Sequence, residues 1–442
     1  MTQYIAQRKD DGMRRKAIVT TAAVVSVITL GLAGCAGEKQ ATSAQTEQTV
    51  AQEATAAAEQ ETEAAGNGSA DASANTSTEG ESALNADDVI FAGMDETQVS
   101  EIKASLEEIL QKNQFGLVYD GAITENVSGE VNIRPVFYET QQNIKIAANL
   151  YLPADYDAEG SFPAIVVAHP NGGVKEQVAG LFAQRLAENG YITIAYDAAY
   201  QGASGGTPRQ TDCPANRVED IRASIDYLMT VQGVDPARIG TLGICGGGGY
   251  VIQTSKTDKR IQAVATISMF NTGRVRRNGF QDSDIAGAQD RLDRAAEARN
   301  KYLETGEVDY VSSLVTKRRE FTQEQLEQMP AGLYRDGAEY YGSTHYHPYS
   351  QGRYTTMSLM DLMAFDAEDQ AELIDQPLLM MVGDVSDTRY MTEGVFEKAT
   401  GTEDKKLVLI PGATHIETYW KPEYVEQELN ELVDFFGTKL AE

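Results

Sequence analysis

The chain has 442 residues and a formal charge of −29, from 66 acidic against 37 basic side chains. That length accommodates one large catalytic domain of roughly 300 residues with appendages. The acidity argues against a nucleic-acid partner, because phosphate contacts need a positive surface that this composition would have to build against its own field.

The first residues read as an export signal. Arg8, Lys9, Arg14, Arg15 and Lys16 precede an apolar run over 17–33, which is short for a bilayer span and ends in small residues before Cys35. The tetrad Leu32-Ala-Gly-Cys35 resembles the bacterial lipoprotein box, which implies a signal peptide over 1–34, acylation of Cys35 and attachment to the membrane from outside the cytoplasm. Residues 36–88 are rich in Ala, Glu, Gln, Thr, Ser and Gly, with Lys39 the only basic residue and no aromatic residue. Such a segment buries too little apolar surface to offset chain entropy, so the expectation for 35–88 is a lipidated, acidic, disordered tether. By random-coil scaling it spans about 40 Å, enough to hold a catalytic domain over 89–442 clear of a surface.

Order is expected from Asp95, which with Gln98 forms a capping box ahead of Val99, Ile102, Leu106, Ile109 and Leu110 at helical spacing. Two strand-like runs, 131–140 and 143–152, flank Gln141-Gln142 and predict an antiparallel hairpin. Six short apolar runs follow, over 164–168, 191–196, 238–244, 261–267, 377–382 and 406–410, with amphipathic stretches between them and a last one through Val425, Leu429, Leu432, Val433 and Phe436. Runs apolar on both faces that alternate with helices specify a parallel sheet covered on both sides. An antiparallel start followed by six parallel strands is the plan of the α/β-hydrolase fold.

The third parallel run leads into Gly243-Ile-Cys-Gly-Gly-Gly-Gly-Tyr250. A strand, a sharp turn with glycine on either side of a nucleophile, and a helix make up the nucleophile elbow, and here cysteine stands in the serine position. A thiol at a helix N-terminus with an imidazole partner has a lowered pKa, so Cys245 is the candidate nucleophile. Gly202-Ala-Ser-Gly-Gly206 also satisfies the motif, but loop precedes it and Thr207-Pro208 follows where a helix should begin, so Ser204 is expected on a glycine-rich loop rimming the pocket. Of four histidines, His415 alone lies just beyond the last strand, where a general base reaches the sheet's carboxyl edge. The loop Gly383-Asp-Val-Ser-Asp387 offers two acids, Asp384 and Asp387. Oxyanion donors are expected from Gly246 and from the loop His169-Pro-Asn-Gly-Gly173, where either Gly172 or Asn171 supplies the second N–H.

These segments, HPNGGVKEQ (169–177), YDAAYQGASGGTPR (196–209), RVED (217–220), GICGGGGY (243–250), VSDTRY (385–390) and GATHIETY (412–419), resemble a dienelactone-hydrolase-related branch of bacterial α/β hydrolases with fungal polyketide thiohydrolases and acyltransferases among its relatives. The resemblance spans about residues 130–440. It implies a Cys245, Asp387, His415 triad, and the choice of Asp387 over Asp384 leans partly on it. About a hundred residues between the fourth and fifth parallel runs exceed a simple connection and predict a tyrosine-rich lid over about 270–360. Arg274 and Arg277 follow a strand end, where they either bind a substrate anion or pair with neighbouring carboxylates. The expected reaction is cleavage of a small ester, lactone or thioester through a thioester acyl-enzyme, with no metal, nucleotide or other cofactor required. An acyltransferase on the same site and a non-catalytic solute-binding lipoprotein are the alternatives. The glycine run lacks dinucleotide spacing, since Gly243-x-x-Gly246 breaks the fingerprint. Cys213 is either a resolving partner for Cys245 or a small residue.

Overall fold

The computed structural model of the protein describes residues 90–312 and 322–441. The signal peptide, the tether and Cys35 lie outside the described residues. Helix α1 (Glu96–Leu110) starts at the expected capping box, with Asp95 Oδ1 accepting the Gln98 N–H at 2.8 Å and Gln98 Oε1 accepting the Asp95 N–H at 3.2 Å. No residue of α1 is fully buried, so its apolar positions are only partly covered.

Strands β1 (Asn132–Glu139) and β2 (Lys145–Leu152) form the antiparallel hairpin, and its connection turns through Asn143 at φ +59°. Strand β3 (Phe162–Ala168), helix α2 (Val178–Ala187), β4 (Ile192–Tyr196), α3 (Pro214–Leu228), β5 (Val234–Ile244), α4 (Gly246–Ser255) and β6 (Ile261–Ile267) then alternate. After them come α5 (Thr272–Asn278), α6 (Ala288–Thr305), β7 (Tyr310–Ser312), α7 (Gln323–Glu327), α8 (Leu333–Glu339), β8 (Arg353–Thr355) and α9 (Leu359–Leu362). Strand β9 (Leu378–Gly383), α10 (Arg389–Lys398), β10 (Lys405–Ile410) and α11 (Pro422–Lys439) complete the chain.

Eight strands form one sheet in the order β1-β2-β4-β3-β5-β6-β9-β10, antiparallel at β1/β2 and β2/β4 and parallel thereafter. This is the α/β-hydrolase plan. Its inner strands β4 and β9 are buried at every position and β3 over its last five, which is why their sequences read as continuous apolar runs and not as alternation. Strand β1 sits at the edge, where Pro135 removes no ladder bond the sheet needs. The amphipathic faces fall inward as their spacing predicts: Val178, Leu181, Phe182 and Leu186 of α2, and Ile221, Ile225 and Leu228 of α3, are buried.

The long insertion between β6 and β9 has substance of its own. Strands β7 and β8 pair antiparallel, and Ala295, Tyr354, Leu359, Leu362 and Met363 form a second apolar cluster there. No described helix is long and apolar enough to cross a membrane.

Strand β5 meets α4 at a contact only glycine permits. A Cβ on Gly243 would lie 2.5 Å from Gly248 Cα and 2.8 Å from the Gly247 carbonyl carbon, all backbone. Gly243→Ala should therefore force α4 off the strand, with a loss of about 1–3 kcal/mol in urea unfolding, as overpacked cores show; an unchanged midpoint would mean that the helix is not seated as described.

Candidate active site

Cys245 links the last residue of β5 to the first of α4 and adopts φ 55°, ψ −122°. A non-glycine residue holds such a conformation only when its surroundings over-determine it, at a cost of about 1–3 kcal/mol. Here they do: the Cys245 N–H donates to Ile267 O at 3.0 Å, and its carbonyl accepts from Gly248 at 2.9 Å and Phe270 at 2.8 Å. The side chain is 8% exposed. Its sulfur lies beside the Tyr419 hydroxyl and the backbone N–H groups of Gly246 and Asn171, each of which favours the thiolate. Burial nevertheless raises the thiol's pKa, outweighing those three contacts and the positive field of Arg217.

Gly246 and Asn171 each place a backbone N–H beside the sulfur. Gly246 and Asn171 are thus the candidate oxyanion donors. Gly172 takes φ +72°, lies against the Gln351 carbonyl and accepts the Ser350 hydroxyl on its own carbonyl at 2.7 Å. The loop bearing Asn171 is pinned from several sides. His169 Nε2 accepts the Ala198 N–H at 3.0 Å while Nδ1 faces Pro170 O at 2.6 Å, and Arg217 donates to His169 O at 3.0 Å. The buried Lys175 ammonium bridges Asp197 at 2.8 Å and Glu176. Asn171 itself donates from Nδ2 to Thr272 Oγ1 at 2.8 Å.

His415 follows β10 and is completely buried. Its Nε2 lies 2.9 Å from the Tyr419 hydroxyl, and its Nδ1 lies 2.5 Å from Thr388 Oγ1, which in turn lies 2.8 Å from Ser386 Oγ. Burial alone pulls the imidazole down to about 3. The structure does not bring Asp387 to His415. In the turn after β9 the neighbouring side chains diverge: Thr388 faces the imidazole, whereas Asp387 Oδ2 accepts the Leu333 N–H at 2.9 Å at the start of α8. Asp387 Oδ1 is buried without a partner, and burial raises its pKa. Asp384 accepts the Gly412 N–H at 2.7 Å and so ties the two loops together.

Ser204 departs from its expectation, Arg274 and Arg277 follow the second of their two alternatives, and Cys213 keeps both of its readings. Ser204 does not rim a pocket: it is fully buried, donating to Asp197 O at 2.6 Å and accepting the Ala147 N–H at 2.9 Å, so it fastens its loop to β2. Arg274 pairs with Asp282 at 2.5 Å and Glu368 at 2.7 Å, and Arg277 pairs with Asp366 at 2.6 Å and with two carbonyls, so neither offers a free guanidinium to a substrate. Cys213 stands at the N-cap of α3 as a free thiol. Sequence reasoning missed Thr388 and Tyr419. The available signal was local: Thr388 adjoins Asp387, and Tyr419 follows His415 by one helical turn. The insertion also adds Tyr341, a buried phenol without a hydrogen-bond partner, in the electrostatic neighbourhood of Cys245 and Tyr419.

A nucleophile elbow, two converging amides and a histidine beyond the last strand of this sheet define an α/β hydrolase. The profile of the dienelactone hydrolase family matches residues 146–270. The protein YcjY of Escherichia coli K12 is 36% identical over 299 residues, 67% of this chain and 95% of that one. The crystal structure of hypothetical protein PA2218 from Pseudomonas aeruginosa superposes with a TM-score of 0.63 at 30% identity, over 71% of this chain and 95% of that one. Thiohydrolase aneE of Aspergillus aculeatus is 31% identical over 132 residues, 30% of this chain and 40% of that one. The chain belongs to the dienelactone hydrolase family, and it is a hydrolase.

The depressed value of His415 fixes the sign of a pH effect. Its folded pKa lies below the ordinary 6.5, so on acidification the unfolded chain takes up a proton that the fold refuses. Its stabilising contribution is full above about 6.5 and is lost as pH falls through that value. The stability gap between wild type and His415→Asn, measured by urea unfolding, should narrow between pH 7.5 and 5.5, by at most about 1.4 kcal/mol per pH unit. A constant gap would show that the buried imidazole accepts the proton.

Proposed function

We propose that the enzyme cleaves a small ester, lactone or thioester through Cys245, with His415 as general base and Asp387 as the acid that orients it. The observation that carries this reading is the position of the Cys245 sulfur, on a strained turn at a helix N-terminus with the Gly246 and Asn171 amides converging on it. Attack of the sulfur on the substrate carbonyl forms the carbon–sulfur bond as the thiol proton passes toward His415 Nε2. The carbonyl oxygen takes the negative charge in place of the sulfur, and the two amides stabilise it. Collapse expels the alkoxide or thiolate, which receives the proton from His415. Water, deprotonated by the same imidazole, then hydrolyses the thioester. The thioester class is supported by the name of the fungal relative, a thiohydrolase.

Asp387 takes the acid role by releasing the Leu333 N–H and turning toward Nδ1. Its unpartnered Oδ1 and its place next to Thr388 support this. A membrane attachment through a lipid on Cys35 belongs to the same proposal and rests on the sequence pattern alone.

Turnover of a p-nitrophenyl ester should disappear in Cys245→Ala, and iodoacetamide should inactivate the wild type with its adduct on Cys245. Full activity in Cys245→Ala would leave a non-catalytic binding role for the glycine turn. Asp387→Asn can still accept the Leu333 N–H, so it should remain folded while losing activity by about 100-fold or more, as loss of an orienting acid does; undiminished activity would hand that role to Thr388.

A further inference from the structure

Between the candidate nucleophile and the candidate base stands a third side chain. Tyr419 lies in the short helical turn that follows His415, with its hydroxyl 2.9 Å from His415 Nε2 and close enough to the Cys245 thiol for each to shift the other's pKa. It is 1% exposed, and its ring is fixed edge-on by Tyr340 at 5.5 Å and by His415 at 5.6 Å between centroids. A phenol held so can accept from one neighbour and donate to the other. The polarity of the chain behind it is consistent: with Nε2 as acceptor, Nδ1–H donates to Thr388 Oγ1, and the Thr388 hydroxyl donates to Ser386 Oγ.

We propose that Tyr419 is a catalytic residue whose phenol relays the proton from the Cys245 sulfur to His415 Nε2. This rests on the assignment of Cys245 as nucleophile. As the sulfur attacks, its S–H bond breaks and an O–H bond forms on Tyr419, while the original phenolic O–H bond breaks and an N–H bond forms on His415. The phenol is neutral before and after, and the charge it would have to carry as a phenolate never develops in this dry site. The new O–H points at the sulfur, where it steadies the thiolate character of the attacking atom. After thioester hydrolysis the same two hops run in reverse and return the proton to sulfur.

The relay explains how two groups that burial holds neutral can still exchange a proton. Desolvation disfavours both the thiolate and the imidazolium, so a stable ion pair of the kind found in exposed thiol enzymes is not the resting state here. Concerted transfer coupled to attack avoids populating that pair: the negative charge appears on the substrate oxygen, within reach of the two amides.

Tyr419→Phe keeps the ring packing and deletes only the hydroxyl. The experiment compares wild type, Tyr419→Phe and Cys245→Ala for kcat/KM on a p-nitrophenyl ester, and the first two for the pH dependence of iodoacetamide alkylation at Cys245. The relay requires that Tyr419→Phe lose about 100-fold or more in kcat/KM, the range of general acid–base catalysis, and that the alkylation midpoint move to higher pH. Tyr419→Phe activity within about 3-fold of wild type, or above it, with an unmoved midpoint overturns the relay. If Cys245→Ala is inactive in that case, the nucleophile assignment survives and the relay alone falls; if Cys245→Ala is active, the nucleophile assignment itself has failed. Should Tyr419→Phe not fold, the proton inventory of wild-type acylation in mixed light and heavy water decides, a bowed dependence meaning two protons in flight and a linear one overturning the proposal.

Discussion

The close approach of α4 to the end of β5 is the constraint on which the site depends. Gly243 lets the backbone of the helix sit against the strand, and that contact leaves the chain room to reverse within a single residue. Cys245 is that residue, so it bears the positive φ that glycine would adopt freely and cysteine does not. What holds it there is the hydrogen bonding of its own peptide to Ile267, Gly248 and Phe270, three groups from β6, α4 and the segment after β6. The elbow is thus fixed by the sheet and not by the side chain it displays.

Burial sets the electrical state of the site. Cys245 and His415 are both withdrawn from water, and each loses more from desolvation than its neighbours return, so the resting enzyme holds a neutral thiol and a neutral imidazole. A neutral thiol reacts slowly with oxidants, so burial also shields Cys245 from oxidation. The elements that would stabilise charge once it develops are already in place: two amides, one phenol, and the guanidinium of Arg217, fully buried beneath the oxyanion loop with its cation over the Tyr250 ring at 4.9 Å. Preorganised dipoles in a dry site need no reorientation when the reaction begins.

The fold was legible in the sequence because its signal is repeated: each inner strand is apolar on both faces, each crossover helix shows a single apolar stripe, and the order of runs leaves few sheets to choose from. The elbow was legible because three local facts coincide, strand, glycine and helix, and the false elbow at Ser204 lacked two of them. The partners of His415 were not legible to the same degree. Thr388 and Asp387 are adjacent in sequence, and which of two neighbours faces the imidazole depends on the torsions of one tight turn and on a competing N–H from Leu333, which comes from the insertion 54 residues upstream. The arginines were undecided for a related reason. Arginines after a strand end in an acidic chain suit either an anion site or internal pairing, and the carboxylates that satisfy Arg274 and Arg277 include Glu368 and Asp366, about ninety residues away.

The pairing of those arginines bears on the charge left near the candidate site. With Arg274 and Arg277 engaged and Lys175 enclosed by Asp197 and Glu176, three of the cations that sequence or fold places near the sheet's carboxyl edge are neutralised internally. Arg217 keeps two nitrogens without partners, but it is 1% exposed and lies under the loop it supports. The insertion contributes the phenols of Tyr340 and Tyr341, both buried and both without hydrogen-bond partners. Buried phenols of this kind combine an apolar ring with a single polar point. The net charge of −29 repels anions at long range. Specificity for a carboxylated substrate would require one of these internal ion pairs to open, and the network around Arg274, which is closed by Asp282, Glu368 and the ring of Tyr390, opposes it.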